Sequence, residues 1–225
     1  MANSNLSVFV ALDRSGSMAG ERWTTAITSL NEYIANLQKE KIEGEVSITA
    51  FDTYHGVGGA TVRLEDIVKN QSIAYYEQLS TSVITPGGGT PLYDAAGIVM
   101  DRALDRNNER TIVVILTDGE ENQSKEYTQA KIKDKVKLLQ DKKWEVIFLG
   151  ANFDVSRYTA GSGLGVDKMR NVDFSNKWAT ATMTADLSSN TIGYARMGTA
   201  MNMADVPVTP LSTTTTVKVS TATTK

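Results

Sequence analysis

The chain has 225 residues, of which 41% are hydrophobic and 22% are charged, with a formal net charge of −3, no cysteine and one histidine. This composition is typical of a globular domain, and the weak negative charge excludes the basic surface that binding to nucleic acid or an anionic membrane requires. Without cysteine, the chain forms no disulfide or thiolate site, and the single histidine excludes a multi-histidine zinc centre. Any bound metal must therefore be held by oxygen atoms.

The first part of the chain predicts a strand, a helix and a hairpin. A strand is predicted at 6–12, because the continuous apolar run at 8–12 is typical of a strand buried on both faces of a parallel sheet. Apolar residues recur at steps of three and four over residues 21–41, which predicts a helix. Residues 44–52 are rich in β-branched side chains and predict a second strand. A glycine-rich turn at 55–59 then leads to a short antiparallel edge strand at 60–64.

The middle of the chain alternates between loop, helix and strand. Residues 70–82 have an ambiguous pattern that fits a helix, and the glycine-rich run at 85–92 predicts a loop. Pro91 is expected at the first position of the next helix, because proline lacks the N–H that this position leaves unused. Another continuous apolar strand is predicted at 111–116.

The second half continues the same alternation and then loses it. A helix is predicted at 126–142 and a strand at 144–149, followed by weaker signals for an edge strand at 172–174 and for one or two helices within 175–204. Alternating helices and apolar strands favour a doubly wound α/β sheet. We therefore expect one domain over 1–204, with a threonine-rich tail or arm at 205–225 that has too few large apolar residues for a core of its own.

Three predicted loops carry oxygen-bearing side chains at strand ends or at the start of a helix. The first contains Asp13, Ser15 and Ser17, the second contains Thr90, and the third contains Asp118. Ligands in open α/β sheets bind beyond the carboxyl ends of the strands. Three hydroxyls and two carboxylates suit a hard, octahedral cation, with Mg²⁺ favoured and Ca²⁺ or Mn²⁺ as alternatives.

The balance of charge in such a site indicates what it would do. If the three hydroxyls bind the cation directly and the two carboxylates act mainly through water, the cation keeps most of its positive charge. Its open position would then accept an Asp or Glu carboxylate from a partner protein. No general base is set against a nucleophile, so the pattern favours ligand capture over catalysis.

Each motif also has an ordinary structural explanation. Thr90 followed by Pro91 fits a helix N-cap, and Asp118 followed by glycine fits a turn. Ser15 and Ser17 fit caps of the following helix. Glu120 and Glu121 are expected to form a solvated rim. The joint occurrence of the three loops in this order favours the metal site.

The motifs DRSGSM at 13–18, GGTPL at 88–92 and LTDG at 116–119 resemble the metal-ion-dependent adhesion site of von Willebrand factor A domains. The resemblance implies a mostly parallel six-stranded sheet with one antiparallel edge strand and helices on both faces. It also implies metal-site roles for five residues, which are Asp13, Ser15, Ser17, Thr90 and Asp118. The family's usual role is cation-dependent protein binding, and the compact form is similar to stand-alone bacterial and phage members.

Three functions are compared. The leading hypothesis is a non-enzymatic module that captures an acidic residue of a partner protein through a divalent cation. The alternative is a structural subunit of a larger assembly, with a phage virion as one candidate. A phosphoryl-transfer or hydrolytic enzyme is the third, and it is disfavoured because Ser15 replaces the second carboxylate that aspartyl phosphatases need. The N-terminus lacks the charged start of a signal peptide, so we expect a cytoplasmic location, or the virion for a phage protein.

Overall fold

The computed structural model describes residues 6–82, 84–150, 164–166, 168–171 and 177–202. The strands are β1 (Leu6–Asp13), β2 (Gly44–Gly56), β3 (Gly59–Ser72), β4 (Arg110–Thr117), β5 (Glu145–Gly150) and β6 (Lys168–Asn171). The helices are α1 (Glu21–Lys39), α2 (Leu92–Arg106), α3 (Gln129–Asp141) and α4 (Lys177–Met197). None of the helices in this part of the chain is both long and apolar enough to span a membrane.

The strands form one sheet in the order β3-β2-β1-β4-β5-β6. Every neighbouring pair is parallel except β2 with β3, which is antiparallel and lies at the edge. The predicted α/β class and the mixed sheet with one antiparallel strand are therefore confirmed. Strand β1 lies between β2 and β4, so the carboxyl ends of three apolar strands meet at one edge.

Strand β1 contributes to two hydrophobic clusters, because successive side chains of a strand point to opposite faces. Val8 and Val10 belong to a cluster that includes apolar residues of α1 and α4. Phe9 and Ala11 belong to the other, which includes apolar residues of α2 and α3. All eight residues of β1 are buried, as the continuous apolar run predicts.

The hairpin at the sheet edge is longer than the sequence predicts. Strand β2 runs to Gly56, and β3 covers Gly59–Ser72 where only residues 60–64 were expected. The helix expected within 70–82 is wrong, since this segment holds the end of β3 and one short 3₁₀ turn, Ile73–Tyr75. Most side chains of β3 are exposed or half-buried, and an edge strand of this kind lacks the apolar signal by which buried strands are recognised.

Several helix boundaries also differ from the prediction. Helix α2 begins at Leu92, with Pro91 as its N-cap and not as its first helical residue. Helix α3 begins at Gln129, three positions later than expected. The segment 177–197 forms the single helix α4, where the sequence allowed one or two. The edge strand expected at 172–174 and the tail at 205–225 lie outside the described residues.

Candidate metal centre

The ends of β1 and β4 bring the first and third loops together. Leu12 is paired with Leu116, so Asp13 and Thr117 follow side by side at the carboxyl edge of the sheet. Thr117 Oγ1 donates to Asp13 Oδ2 at 2.5 Å, and Ser15 N donates to Asp13 Oδ1 at 2.7 Å. Asp13 is fully buried. Both oxygens of this carboxylate are therefore held in place by groups at the ends of the two strands.

The Asp13 carboxylate has hydrogen-bond donors but no cationic partner among the described residues. Burial raises the pKa of Asp13 to about 6, and the hydrogen bonds from Thr117 and Ser15 offset only part of this effect. No lysine or arginine in the described ranges forms an ion pair with it. The site thus contains a buried negative charge that a bound cation would stabilise.

The two serine hydroxyls lie side by side, and neither makes a side-chain cap bond to a helix. Ser17 Oγ donates to Asp118 Oδ1 at 2.6 Å, and the Oγ atoms of Ser15 and Ser17 are 3.0 Å apart. Ser15 precedes a short 3₁₀ turn without a side-chain cap bond, and Gly20 is the N-cap of α1. The interpretation of these serines as helix caps is therefore wrong.

Backbone hydrogen bonds attach the glycine-rich loop to the first loop. Gly16 N donates to Gly88 O at 3.0 Å, and Gly87 N donates to Arg14 O at 2.9 Å. Gly88 has φ +74°, and a Cβ atom at this position would lie 1.8 Å from Thr53 O. Only glycine fits a left-handed position this close to another backbone. The loop is thereby held against the site from which Thr90 follows.

Thr90 is buried and belongs to the same cluster of loops. Its N–H donates to Asn122 Oδ1 at 2.9 Å, and Asn122 N donates to Thr90 O at 3.2 Å. Thr90 is not the N-cap of α2, since Pro91 has that position. A Cβ atom added to Gly119 would lie 2.9 Å from Thr90 Oγ1 and 3.5 Å from Ser17 Oγ. The hydroxyls of the first and second loops therefore both border the space beside Gly119.

The candidate ligands fit a hard cation, and most of them are neutral. The residues that would hold it supply three neutral hydroxyls and two carboxylates, all of them oxygen donors. Within the described ranges, no three residues of the types His, Cys, Asp and Glu are grouped so that they could hold a metal ion. A site here would thus depend on Ser15, Ser17 and Thr90, and it would leave much of the charge of the cation uncompensated.

Two residues at the site were not predicted. Thr117 belongs to the LTDG motif, and its hydroxyl also accepts from Gly119 N at 3.1 Å, so the motif itself contained a signal for it. Arg22 reaches back from α1, where Nη1 donates to Asp118 Oδ2 at 2.8 Å and to Ser17 O at 3.0 Å. No spacing rule connects an arginine in a helix with an aspartate almost a hundred positions later.

Two carboxylates fix the loop that follows Asp118. Asp94 of α2 accepts from the backbone N–H groups of Lys125, Glu126 and Tyr127 at 2.7–2.9 Å. Glu121 accepts from Tyr93 N at 2.9 Å and also from backbone N–H groups of its own loop. Glu121 is therefore a half-buried structural group, which corrects its interpretation as part of a solvated rim, while Glu120 is exposed as expected.

Comparison with family models matches residues 7–181 to the von Willebrand factor type A domain. The matched segment covers most of the chain and contains all three loops. The chain therefore belongs to the von Willebrand factor type A domain family. A search of curated protein sequences gave no significant match.

Solved structures of similar fold include proximal thread matrix protein 1 from the mussel byssus, with TM-score 0.59, 12% identity, and coverage of 84% of this chain and 46% of that protein. Manganese-loaded TRAP protein of Plasmodium vivax matches with TM-score 0.53 and 18% identity over 80% of this chain and 73% of that one. The pilus adhesin SpaC of Lactobacillus rhamnosus GG matches with TM-score 0.58 and 13% identity over 85% of this chain and 30% of that one. These likenesses show the fold alone, and the chain spans about half the length of the mussel protein.

Proposed function

We propose that this chain is a non-enzymatic protein-binding module that holds a divalent cation, with Mg²⁺ preferred over Ca²⁺ and Mn²⁺, and captures an acidic residue of a partner protein. The residues that would hold the cation are Asp13, Ser15, Ser17, Thr90 and Asp118. When bound, the cation supplies a Lewis-acidic position for a carboxylate. The compartment in which the module works, whether the cytoplasm or a phage virion, stays a prediction.

The observation that carries this proposal is the convergence of the three loops around buried, uncompensated charge. The Ser17 hydroxyl donates to Asp118, the Ser15 hydroxyl lies 3.0 Å from that of Ser17, and Thr90 borders the same space. Asp13 lies behind them with no protein cation among the described residues, and its raised pKa reflects that burial. A buried carboxylate that served folding alone would be expected to have a counter-charge, as Glu45 has in Arg106.

The names of the similar structures support the same conclusion. One is a pilus adhesin, and another was crystallised with manganese. Family membership adds that domains of this type are generally interaction modules. Because most of the ligands are neutral hydroxyls, the bound cation would keep most of its positive charge. Such a cation favours a carboxylate as its further ligand.

Thermal unfolding in chelator and in millimolar Mg²⁺, Ca²⁺ or Mn²⁺ tests the proposal. Ligand at about one hundred times its dissociation constant stabilises the native state by about 2.7 kcal/mol, which corresponds to a rise in midpoint of roughly 5–10 °C for a chain of this size. Ser17→Ala should abolish the rise without unfolding the chain, because Ser17 is exposed. Ser80→Ala, which removes an exposed hydroxyl bonded to Ser82, is the matched control and should respond as wild type.

If a cation raises the unfolding midpoint of wild type and of Ser17→Ala by the same amount, the assignment of the site is contradicted. Wild type that responds to none of the three cations, with or without acetate as a carboxylate probe, would contradict the cation-dependent module altogether.

The second candidate is a structural subunit of a larger assembly in which this domain makes the subunit contacts. It is favoured by the mussel protein, whose name describes a component of a thread matrix. Sedimentation of the protein in its native setting separates the two functions. A cation-independent assembly would favour the structural role, whereas a monomer that binds its partner only with a cation would favour the capture module.

A further inference from the structure

Arg22 places a guanidinium directly against the candidate metal centre. Its Nη1 donates to Asp118 Oδ2 at 2.8 Å and to the carbonyl oxygen of Ser17 at 3.0 Å. The side chain of Asp118 is 0% exposed, whereas that of Arg22 is 39% exposed. The carboxylate is therefore fixed in the protein, and the guanidinium lies between it and solvent.

The position of Arg22 in its helix gives no reason for an arginine. Arg22 is the second residue of α1, where the positive end of the helix dipole disfavours a cationic side chain. Its two hydrogen bonds lead away from the helix to the loops of the site. The charge of Asp118 therefore accounts for this orientation better than the stability of α1 does.

The two aspartates of the site are treated differently by the protein. Asp118 has Arg22 as its counter-charge, while Asp13 accepts from Thr117 and Ser15 and forms no ion pair with any described residue. In formal charge, a divalent cation would equal the two carboxylates, although they would act on it mainly through water. With Arg22 still in place, the loaded site would then hold one uncompensated positive charge, which an acidic ligand would neutralise.

We propose that Arg22 is the resident counter-charge of the site: it neutralises Asp118 in the absence of a divalent cation, competes with the cation for that carboxylate, and so makes tight cation binding depend on an acidic ligand. The inference rests on the proposed function, because it assumes a cation at this site. Within the described part of the chain, Nε and Nη2 of Arg22 have no hydrogen-bond partner. These two groups form the planar edge that binds a carboxylate.

Arg22→Gln tests the proposal, with Arg196→Gln as the matched control. Arg196 also binds one carboxylate and one backbone carbonyl, both of Glu40. It lies in the last turn of α4 and is not part of the candidate metal centre. In chelator, Arg22→Gln should lower the unfolding midpoint because Asp118 loses its counter-charge. In saturating Mn²⁺ this difference should disappear, because the cation takes over that role. A purely structural ion pair would lower the midpoint by the same amount in both conditions, as Arg196→Gln should.

Mn²⁺ titration of the same proteins gives a second measurement. A positive charge a few ångströms from a divalent cation weakens its binding, so Arg22→Gln should bind Mn²⁺ about tenfold more tightly than wild type in chloride buffer. Acetate at the same ionic strength should tighten Mn²⁺ binding in wild type and do so much less in Arg22→Gln.

The outcomes separate this inference from the function on which it rests. If wild type binds Mn²⁺ and Arg22→Gln binds it with equal or lower affinity, the role of Arg22 is wrong and the cation site stands. If neither protein binds Mn²⁺ in chloride or acetate, both proposals are overturned.

Discussion

Two buried carboxylates at opposite ends of the central sheet, Glu45 and Asp13, have partners of opposite kinds. At the amino end, Glu45 at the start of β2 accepts from Arg106 Nε at 2.5 Å, from Arg106 Nη2 at 2.6 Å and from Ser7 Oγ at 2.9 Å. At the carboxyl end, Asp13 accepts from Thr117 and Ser15, and no described residue supplies it with a positive charge. Both residues are buried, so the difference lies in the charge of their partners.

The pKa values of the two carboxyls differ accordingly. Burial alone would raise the pKa of Glu45, but the hydrogen bonds from Arg106 and Ser7 hold it below its ordinary value. Burial raises the pKa of Asp13 to about 6 because nothing comparable opposes it. The chain neutralises a carboxylate where it needs one for folding. Asp13 has no counter-charge among the described residues, and it lies where we propose that a cation binds.

Gly88→Ala should have the largest effect on stability. It disturbs the loops at the carboxyl end of the sheet and leaves the amino end unchanged. The added Cβ would lie 1.8 Å from Thr53 O at a residue with φ +74°, so the loop must move and carry Thr90 with it. We expect a loss of about 3 kcal/mol of unfolding free energy in urea, together with loss of the Mg²⁺-dependent rise in midpoint.

Gly87→Ala is the control for this prediction. No atom lies within 4 Å of a Cβ atom at Gly87, and its φ is not positive, so the variant should fold and respond to Mg²⁺ as wild type does. Equal stability of the two variants would show that the glycine-rich loop is not held against Thr53 as described.

Neutralising each carboxylate in turn tests the contrast between the two ends. Glu45→Gln removes charge-assisted hydrogen bonds with Arg106 and should destabilise the protein by about 2 kcal/mol in chelator. Asp13→Asn keeps an acceptor for Ser15 N and removes an uncompensated charge, so it should change the stability in chelator by less than about 1 kcal/mol. Urea unfolding with and without Mg²⁺ measures both effects.

The two variants should differ in the opposite sense in their response to cations. Glu45→Gln is expected to keep the Mg²⁺-dependent stabilisation, and Asp13→Asn is expected to lose it. If Asp13→Asn were as destabilising in chelator as Glu45→Gln, the Asp13 carboxylate would be a folding element and the contrast between the two ends would fail.

Most of the carboxyl end could be predicted from the sequence because its geometry follows from parallel strands. Apolar runs before Asp13 and Asp118 predict buried parallel strands, whose final residues lie at the same edge of the sheet, and the structure makes these two strands neighbours. The glycines before Thr90 predict a loop, and the structure places that loop against the first one. That Asp13, Ser15, Ser17, Thr90 and Asp118 bind a cation stays a prediction.

The remainder depends on contacts that no local pattern encodes. Arg22 meets Asp118 only because α1 begins beside the end of β4, and Arg106 meets Glu45 only because α2 ends beside the start of β2. The length of β3 was missed for a different reason. Some side chains of β3 contact β2 through polar groups, as Arg63 does in its ion pair with Asp52. The sequence of β3 therefore lacks the apolar pattern of a buried strand.

The pH dependence of stability should show the smallest difference between the two ends. Asp13 has a folded-state pKa of about 6 against an ordinary value of 3.8, so folding takes up a proton between these values. Stability in chelator should therefore increase as the pH falls through 6, by about 1 kcal/mol between pH 7 and pH 5 relative to Asp13→Asn. Glu45 has the opposite sign, since a lowered pKa contributes stability that is lost only as the pH falls below its ordinary value of 4.5.

Urea unfolding of wild type, Asp13→Asn and Glu45→Gln at pH 7 and pH 5 separates the two residues, because only the difference from Asp13→Asn should change within this window. A wild type that loses stability relative to Asp13→Asn between pH 7 and pH 5 would mean that the Asp13 carboxylate already has a counter-charge in the cation-free protein, and the carboxyl end of the sheet would then have no need of a cation.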